Sequence, residues 1–449
     1  MSLTALLFSA LFFGLLGAAL IRHPIYGLMA YLASFYVHPP SRWWGQGLLI
    51  DVRWAFLAAG ITLVAVLIHR TGSSKRSFFS FPVVWLMLAL LLWAVIQLNW
   101  ALWPEKHLDF VQLFAKFILA AFLIYRAVDS EKHLRWFLWA HFLGCLCLAI
   151  IAGESYSGGR FDSFGGPGIA DANSAANQLV TGIMAGASLF LGGRIWGKVG
   201  ALGVMPFVLN ALVMTVSRSG FLAFVAGGVV FNLFTPWWSR RFVKIVSVLG
   251  ILLLGILAGP QYWERIGSIK AGGAQIEGVD TGAGRLEIIS AQWKMFQRYP
   301  MGCGHRCTAV LSHEYLGAEH FTDLEEGAGR SSHNTFMTLI VEQGVFGAIF
   351  YLALIAWFIR EIMALYRLTR KQRSFVAQAL PAVAASAAAI FVADMFVDLL
   401  KHEVRIWIIA IIMSMHALVR RLPAEEATST ASAMTATNGE EANRGHGAS

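Results

Sequence analysis

Apolar runs of roughly 20 residues, each long enough to cross a bilayer as a helix, recur along almost the whole of this sequence. They lie near residues 3–21, 25–38, 54–68, 82–99, 108–125, 134–152 and 173–193, then near 197–216, 219–234, 243–259, 333–358, 379–397 and 404–419. In lipid every backbone N–H and C=O must be satisfied within the protein, so only helices and closed barrels span. Runs this long and without alternation are not barrel strands. The expected fold is all-α: a polytopic membrane bundle of about 12–13 transmembrane helices. The second run is short, and a hairpin with the first would leave twelve spans. Composition agrees, with 57% hydrophobic and 14% charged residues, against about 25% charged in ordinary soluble domains. The first twenty residues have neither a basic n-region nor a cleavage site, so they are expected to stay as a helix.

The formal net charge is +9, and its placement decides its meaning. Lys and Arg at helix ends orient a membrane protein, whereas a nucleic-acid binder gathers them into a surface patch. Connection 359–378 holds Arg360, Arg367, Arg370, Lys371 and Arg373. Four others hold Arg70, Lys75 and Arg76; Arg126, Lys132 and Arg135; Arg194 and Lys198; and Arg240, Arg241 and Lys244. Helix parity puts all five on one side, expected to be cytoplasmic. The opposite connections are poorer: Arg42 and Arg53, Lys106, Arg160, and Lys401 with Arg405. The one long polar connection, 260–332, then faces outward, and no nucleic-acid partner is expected.

Within that loop, Gly284 to Gln297 reads as an amphipathic helix, with Leu286, Ile289, Trp293 and Phe296 at 3–4 spacing. It is expected to lie along the outer interface, apolar stripe down, with Tyr299-Pro300 ending it. Residues Asp323 to Arg330 are acidic and Gly-rich and are expected to be mobile. Cys303 and Cys307 flank Gly-His-Arg; outside the cytosol they could pair, or with His305 they could bind a metal. Residues 1–421 are expected to form one transmembrane domain and 422–449 a disordered cytoplasmic tail, rich in Ala, Thr, Ser, Glu and Gly.

Three residues at the edges of the polar stretch carry the chemistry. Arg218, in Thr-Val-Ser-Arg-Ser-Gly, opens a helix on the outer side. A snorkelling anchor is the ordinary reading there, but Ser217, Ser219 and Gly220 make that helix start a natural anion site. Arg285, in Gly-Ala-Gly-Arg-Leu-Glu, stands in a first turn where its charge opposes the helix dipole, an objection that a bound diphosphate removes. Both can bind oxygens through a planar fork. His333, in Ser-Ser-His-Asn-Thr-Phe, is a titratable imidazole at an interface and a candidate general base. Asn334 could orient an acceptor hydroxyl. Glu342 is a carboxylate within an apolar run, a functional candidate or one half of a structural pair. Asp394 and Asp398 could pair with Lys401 or Arg405.

Ser-Arg-Ser-Gly opening a helix, Gly-Arg-Leu followed by Trp and Tyr-Pro-Met-Gly-Cys-Gly, and Ser-His-Asn-Thr-Phe followed by Glu-Gln-Gly-Val-Phe-Gly together resemble the O-antigen ligase and polymerase family. The resemblance covers roughly residues 205–358. Gly-Gly-Pro-Gly-Ile-Ala-Asp-Ala-Asn, with Asp171 and Asn173, is similar to a weaker element of the same family. Tyr36-Val37-His38-Pro39-Pro40 followed by Trp43-Trp44-Gly45 is similar to its exosortase-associated O-glycosylation ligase branch. The resemblance implies a GT-C-like inner-membrane fold and an inverting, metal-independent glycosyltransferase without cofactor. Its donor would be a glycan on undecaprenyl diphosphate, and its acceptor a lipid, protein or glycan hydroxyl at the periplasmic face. By motif, Arg218 and Arg285 match the arginines that hold the diphosphate, and His333 the histidine that activates the acceptor.

Three other readings stand beside it, one of them a non-catalytic scaffold for an envelope assembly complex, which the three matched polar positions disfavour. A polysaccharide polymerase takes the same donor and differs only in acceptor. A small-solute transporter would show inverted repeats and paired charges at the bilayer midplane; the sequence has no such repeat, and its candidate residues cluster at one interface.

Overall fold

The computed structural model describes residues 2–46, 49–71, 76–162, 164–166, 168–169, 171–267, 284–317, 320–321, 329 and 333–420, without the side chains of Gln261, Arg265, Ile266 and Arg285. Among them the chain is helical and has no strand. The first half runs α1 (Leu3–Ile21), α2 (Ile25–Val37), α3 (Trp54–His69), α4 (Pro82–Gln97), α5 (Pro104–Ala127) and α6 (Glu131–Ser155). Then come α7 (Ala172–Gly192), α8 (Ile195–Met214), α9 (Arg218–Phe234) and α10 (Arg240–Leu257). Three short helices occupy the long loop: α11 (Pro260–Gly267), α12 (Gly284–Arg298) and α13 (Cys307–Tyr315). The chain closes with α14 (Thr335–Thr369), α15 (Phe375–Ala393) and α16 (Glu403–Val419).

Every apolar run is a helix, and among the described residues seven helices are long and apolar enough to cross a membrane: α1, α5, α6, α7, α8, α14 and α15. Local signals set their starts. Pro82 and Pro104 sit in first turns, where the missing N–H costs nothing. Ser2, Ser130 and Ser374 cap α1, α6 and α15 by accepting from backbone N–H groups three residues on. The short second run does form a hairpin with the first, α1 packing on α2.

Packing rests on small residues, since apolar burial alone does not drive helices together in lipid. The Ala-rich α15 lies against α7 and α9 at the centre, and a β-carbon on Gly182 of α7 would come within 2.3 Å of Cys145 Sγ on α6.

Contacts between connections sort them into two ends. At one, His23 and His133 both reach Asp129, His69 bonds to the Leu20 carbonyl, and Glu131 accepts from the Val376 amide. At the other, Arg42 donates to the Phe164 carbonyl and the Leu102 amide to that of Cys303. The basic connections belong to the first end and the long loop to the second, as helix parity requires.

Two expectations about the loop are revised. Helix α12 buries Ile288, Ala291 and Met295, and Ala291 and Met295 pack with Cys307, Leu311, Ile340 and Val341. Leu286 and Trp293 of the expected stripe are 76% and 48% exposed instead. The helix has two apolar faces, each at 3–4 spacing, and the one that carries Ala291 and Met295 meets the protein. Cys303 and Cys307 are joined as a disulfide, which consumes both thiols of the possible metal set. The expected mobile segment 323–330, apart from Gly329, and the tail beyond 421 lie outside the described residues.

Candidate active site

Five helix termini converge at the second end. Ser217 caps α9 by accepting from the Gly220 amide at 3.0 Å, and its hydroxyl donates to Asn173 Oδ1 at 2.8 Å. Ser219 Oγ stands 3.0 Å from Ser217 Oγ, so the starts of α7 and α9 are stitched together. Arg218, half-buried, is the first residue of α9. Before it, Val216 has φ 44°, a left-handed conformation that is costly for a β-branched residue and persists only where its surroundings enforce it.

His333 also lies in the left-handed region, at φ 50°, exposed and directly ahead of α14. Its platform is rigid. Asn334 Oδ1 accepts from the Met337 amide and Asn334 Nδ2 donates to the Met395 carbonyl, so both ends of the amide are taken by the fold. That arrangement is a helix cap, not the hydroxyl-orienting role expected of Asn334. Thr335 donates to Asp394 Oδ1 at 2.8 Å; Tyr351 and Arg405 donate to the same carboxylate. Asp394 thus ties the start of α14 to the end of α15 and the start of α16, and Arg405 is its ion-pair partner.

Asp171 is likewise spent on structure. Its carboxylate caps α7, accepting from the Asn173 and Ser174 amides, while Asp162 accepts from that of Ala172. Nearby, His402 is held neutral, its imidazole brought down to about 4 by burial and then by the Arg405 charge.

Glu342 sits where α14 breaks. Gly344 has φ 66° and ψ −156°, a region open essentially to glycine alone. The amide of Val345 turns to the Pro300 carbonyl, and the freed carbonyls of Val341 and Glu342 accept from Cys303 and Gly304. The Tyr299–Gly304 segment therefore replaces the lost helical bonds. Gly302 and Gly304, at φ 81° and 89°, allow this approach; a β-carbon on Gly302 would lie 2.6 Å from the Glu342 carbonyl oxygen.

The Glu342 carboxylate accepts from His305 Nδ1 at 2.6 Å, the Arg306 amide at 2.8 Å and Thr308 Oγ1 at 2.7 Å. Lys401 Nζ lies 3.2 Å from His305 Nε2, so the lone pair is on Nε2 and the proton on Nδ1. Glu342 is a structural partner, anchoring the loop to the helix break. Sequence reasoning missed the pairing of His305 with Glu342 and of Lys401 with His305, which form only after folding; the alternating Gly-Cys-Gly was the available signal.

Of the residues expected to act, Arg218 and His333 open helices at this one end. The backbone of Arg285 starts α12, which packs through Met295 on Val341 and so belongs to the same end. Its side chain lies outside the described set. Four of the five non-glycine residues with positive φ among the described residues, His38, Val216, Arg306 and His333, lie here too.

A family model described as O-antigen ligase matches residues 203–352, the stretch from α8 through the long loop into α14. No curated protein matches the chain. Over this third of the chain the sequence is similar to the O-antigen ligase family, which supports a membrane protein of the glycan-ligase or polymerase type.

Proposed function

We propose, for a chain whose central third matches the O-antigen ligase family, that it transfers a glycan from undecaprenyl diphosphate to an acceptor hydroxyl at the periplasmic face of the inner membrane. The observation that carries the reading is the meeting of helix starts at one end, bringing Arg218 and His333 to the same side as the start of α12. Two further facts support the orientation. The Cys303–Cys307 disulfide suits a compartment outside the cytosol, and the Lys and Arg-rich connections lie at the opposite end.

In the proposed reaction the acceptor oxygen attacks the anomeric carbon from the face opposite the leaving group, inverting it. The bond from that carbon to the diphosphate oxygen breaks, and its electron pair departs with the lipid diphosphate. Arg218 and Arg285 hold that diphosphate and stabilise the charge developing on it. His333 takes the acceptor proton. The rigid cap at Asn334 and the Asp394–Thr335 contact keep the imidazole's backbone from moving as the proton is transferred.

The test mixes purified protein with undecaprenyl-diphosphate glycan and each acceptor class, with and without EDTA. His333→Ala is expected to lower transfer by about 10²-fold or more, and chelation to leave wild-type transfer unchanged. Near-wild-type transfer by His333→Ala would refute the assigned base; loss on chelation would refute metal independence. The acceptor that accumulates product separates ligase from polymerase.

A further inference from the structure

A separate cavity opens in the first half of the bundle. It encloses about 520 Å³ between α2, α3, α5 and the first residue of α16, within the range of about 300–1,000 Å³ typical of ligand pockets. Phe35, Leu113, Phe117 and Leu123 make its walls apolar. Phe56 and Leu119 form its lip and are 73% and 37% exposed, so it opens sideways towards lipid.

Two cations line this apolar space. Arg53 precedes α3, and Lys116 lies on α5 nine residues past His107, about 14 Å further along the helix. Both are exposed, and neither side chain has a hydrogen bond, ion pair or ring contact among the described residues. Glu403, the carboxylate in the cavity, is occupied by the Tyr31 hydroxyl. A lysine this deep in a membrane helix is costly unless something pairs with it. Glu105, Asp109 and Gln112 continue the line of Lys116 upward at 3–4 spacing, a polar track from the outer surface to the cavity.

We propose that this cavity binds one anionic glycerophospholipid of the surrounding leaflet, its phosphate between Arg53 and Lys116 and an acyl chain against Phe56, Leu119 and Leu123. Apolar walls, a lateral opening and two cations whose side chains have no partner among the described residues are complementary to that molecule. The site is distinct from the candidate active site. At the start of α16, Glu403 faces the cavity, while Arg405 faces Asp394 on the other side.

Native mass spectrometry of the full chain, released from detergent with added phosphatidylglycerol, phosphatidylethanolamine or undecaprenyl phosphate, tests this. Wild type and Lys116→Arg are expected to retain one phosphatidylglycerol. The Arg53→Gln/Lys116→Gln double variant is expected to retain it at least tenfold less, at an unchanged melting temperature. Ala59→Trp, which fills the cavity without touching a charge, is expected to expel the lipid as well and covers the case of a double variant that fails to fold. Equal retention by Ala59→Trp overturns the proposal, as does wild type holding none of the three lipids. So does preference for undecaprenyl phosphate, which would give the cavity to the donor's chain, or for phosphatidylethanolamine, which would remove the role of net charge.

Discussion

At the scale of single residues, charge and shape make different predictions. A lysine keeps the charge of Arg285 or Arg218 but loses the planar fork that meets two phosphate oxygens at once. Arg285→Lys and Arg218→Lys are each expected to lose at least tenfold in glycan transfer, read as initial rate at saturating acceptor; near-normal rates would remove bidentate diphosphate binding. Glu342 is the contrasting case. Its buried carboxylate accepts three hydrogen bonds, and Glu342→Gln leaves His305, the Arg306 amide and Thr308 without the charged acceptor they share. A loss of about 2–4 kcal/mol in stability is expected, measured by thermal unfolding in detergent; an unchanged melting temperature would sink the anchoring role. The helix-start positions of Arg218 and His333 were legible in the sequence because local motifs surround them. The partners of Glu342 were not, since no local pattern announces contacts made 37 and 96 residues apart along the network.

At the scale of elements, α14 is two helical segments joined at Gly344. A β-carbon there would lie 2.3 Å from the Met301 carbonyl carbon, and the backbone conformation itself excludes other residues. Gly344→Ala is therefore expected to cost at least about 2–3 kcal/mol and to detach the Tyr299–Gly304 segment. Hydrogen exchange reports this as faster exchange at the Cys303 and Gly304 amides; unchanged protection there would refute the pinning. Helix α12 shows the limit of periodicity. Its moment identified an amphipathic helix, but a helix apolar on two faces does not say which one meets protein.

At the scale of the whole molecule, the two ends are fastened by different chemistry. At the end of the basic connections, Asp129 accepts from His133 at 2.6 Å and from His23 at 3.2 Å. His23 Nδ1 accepts from the Ile25 amide, which puts the ring's proton on Nε2, facing Asp129. Burial pushes the Asp129 carboxyl up, but the bonds from His133 and His23 outweigh it and hold the group below the ordinary carboxylate range. A depressed pKa stabilises the fold above the unfolded value of about 4 and loses that contribution as the pH falls below it. Asp129→Asn is expected to lower the melting temperature at pH 7, with the gap to wild type narrowing between about pH 5 and pH 3. A gap independent of pH would show that the charge is not what matters. The sequence alone determined the helical class, the number of runs, their sidedness and the order of the motifs. Each follows from lengths and charges read within one segment, because a backbone in lipid must satisfy itself locally. Only the tertiary structure decided which of the polar residues are spent on the fold. Asp171 and Asn334 became caps, Glu342 an anchor and Asp394 a junction, because a buried polar group takes its partners from whatever helices pack beside it.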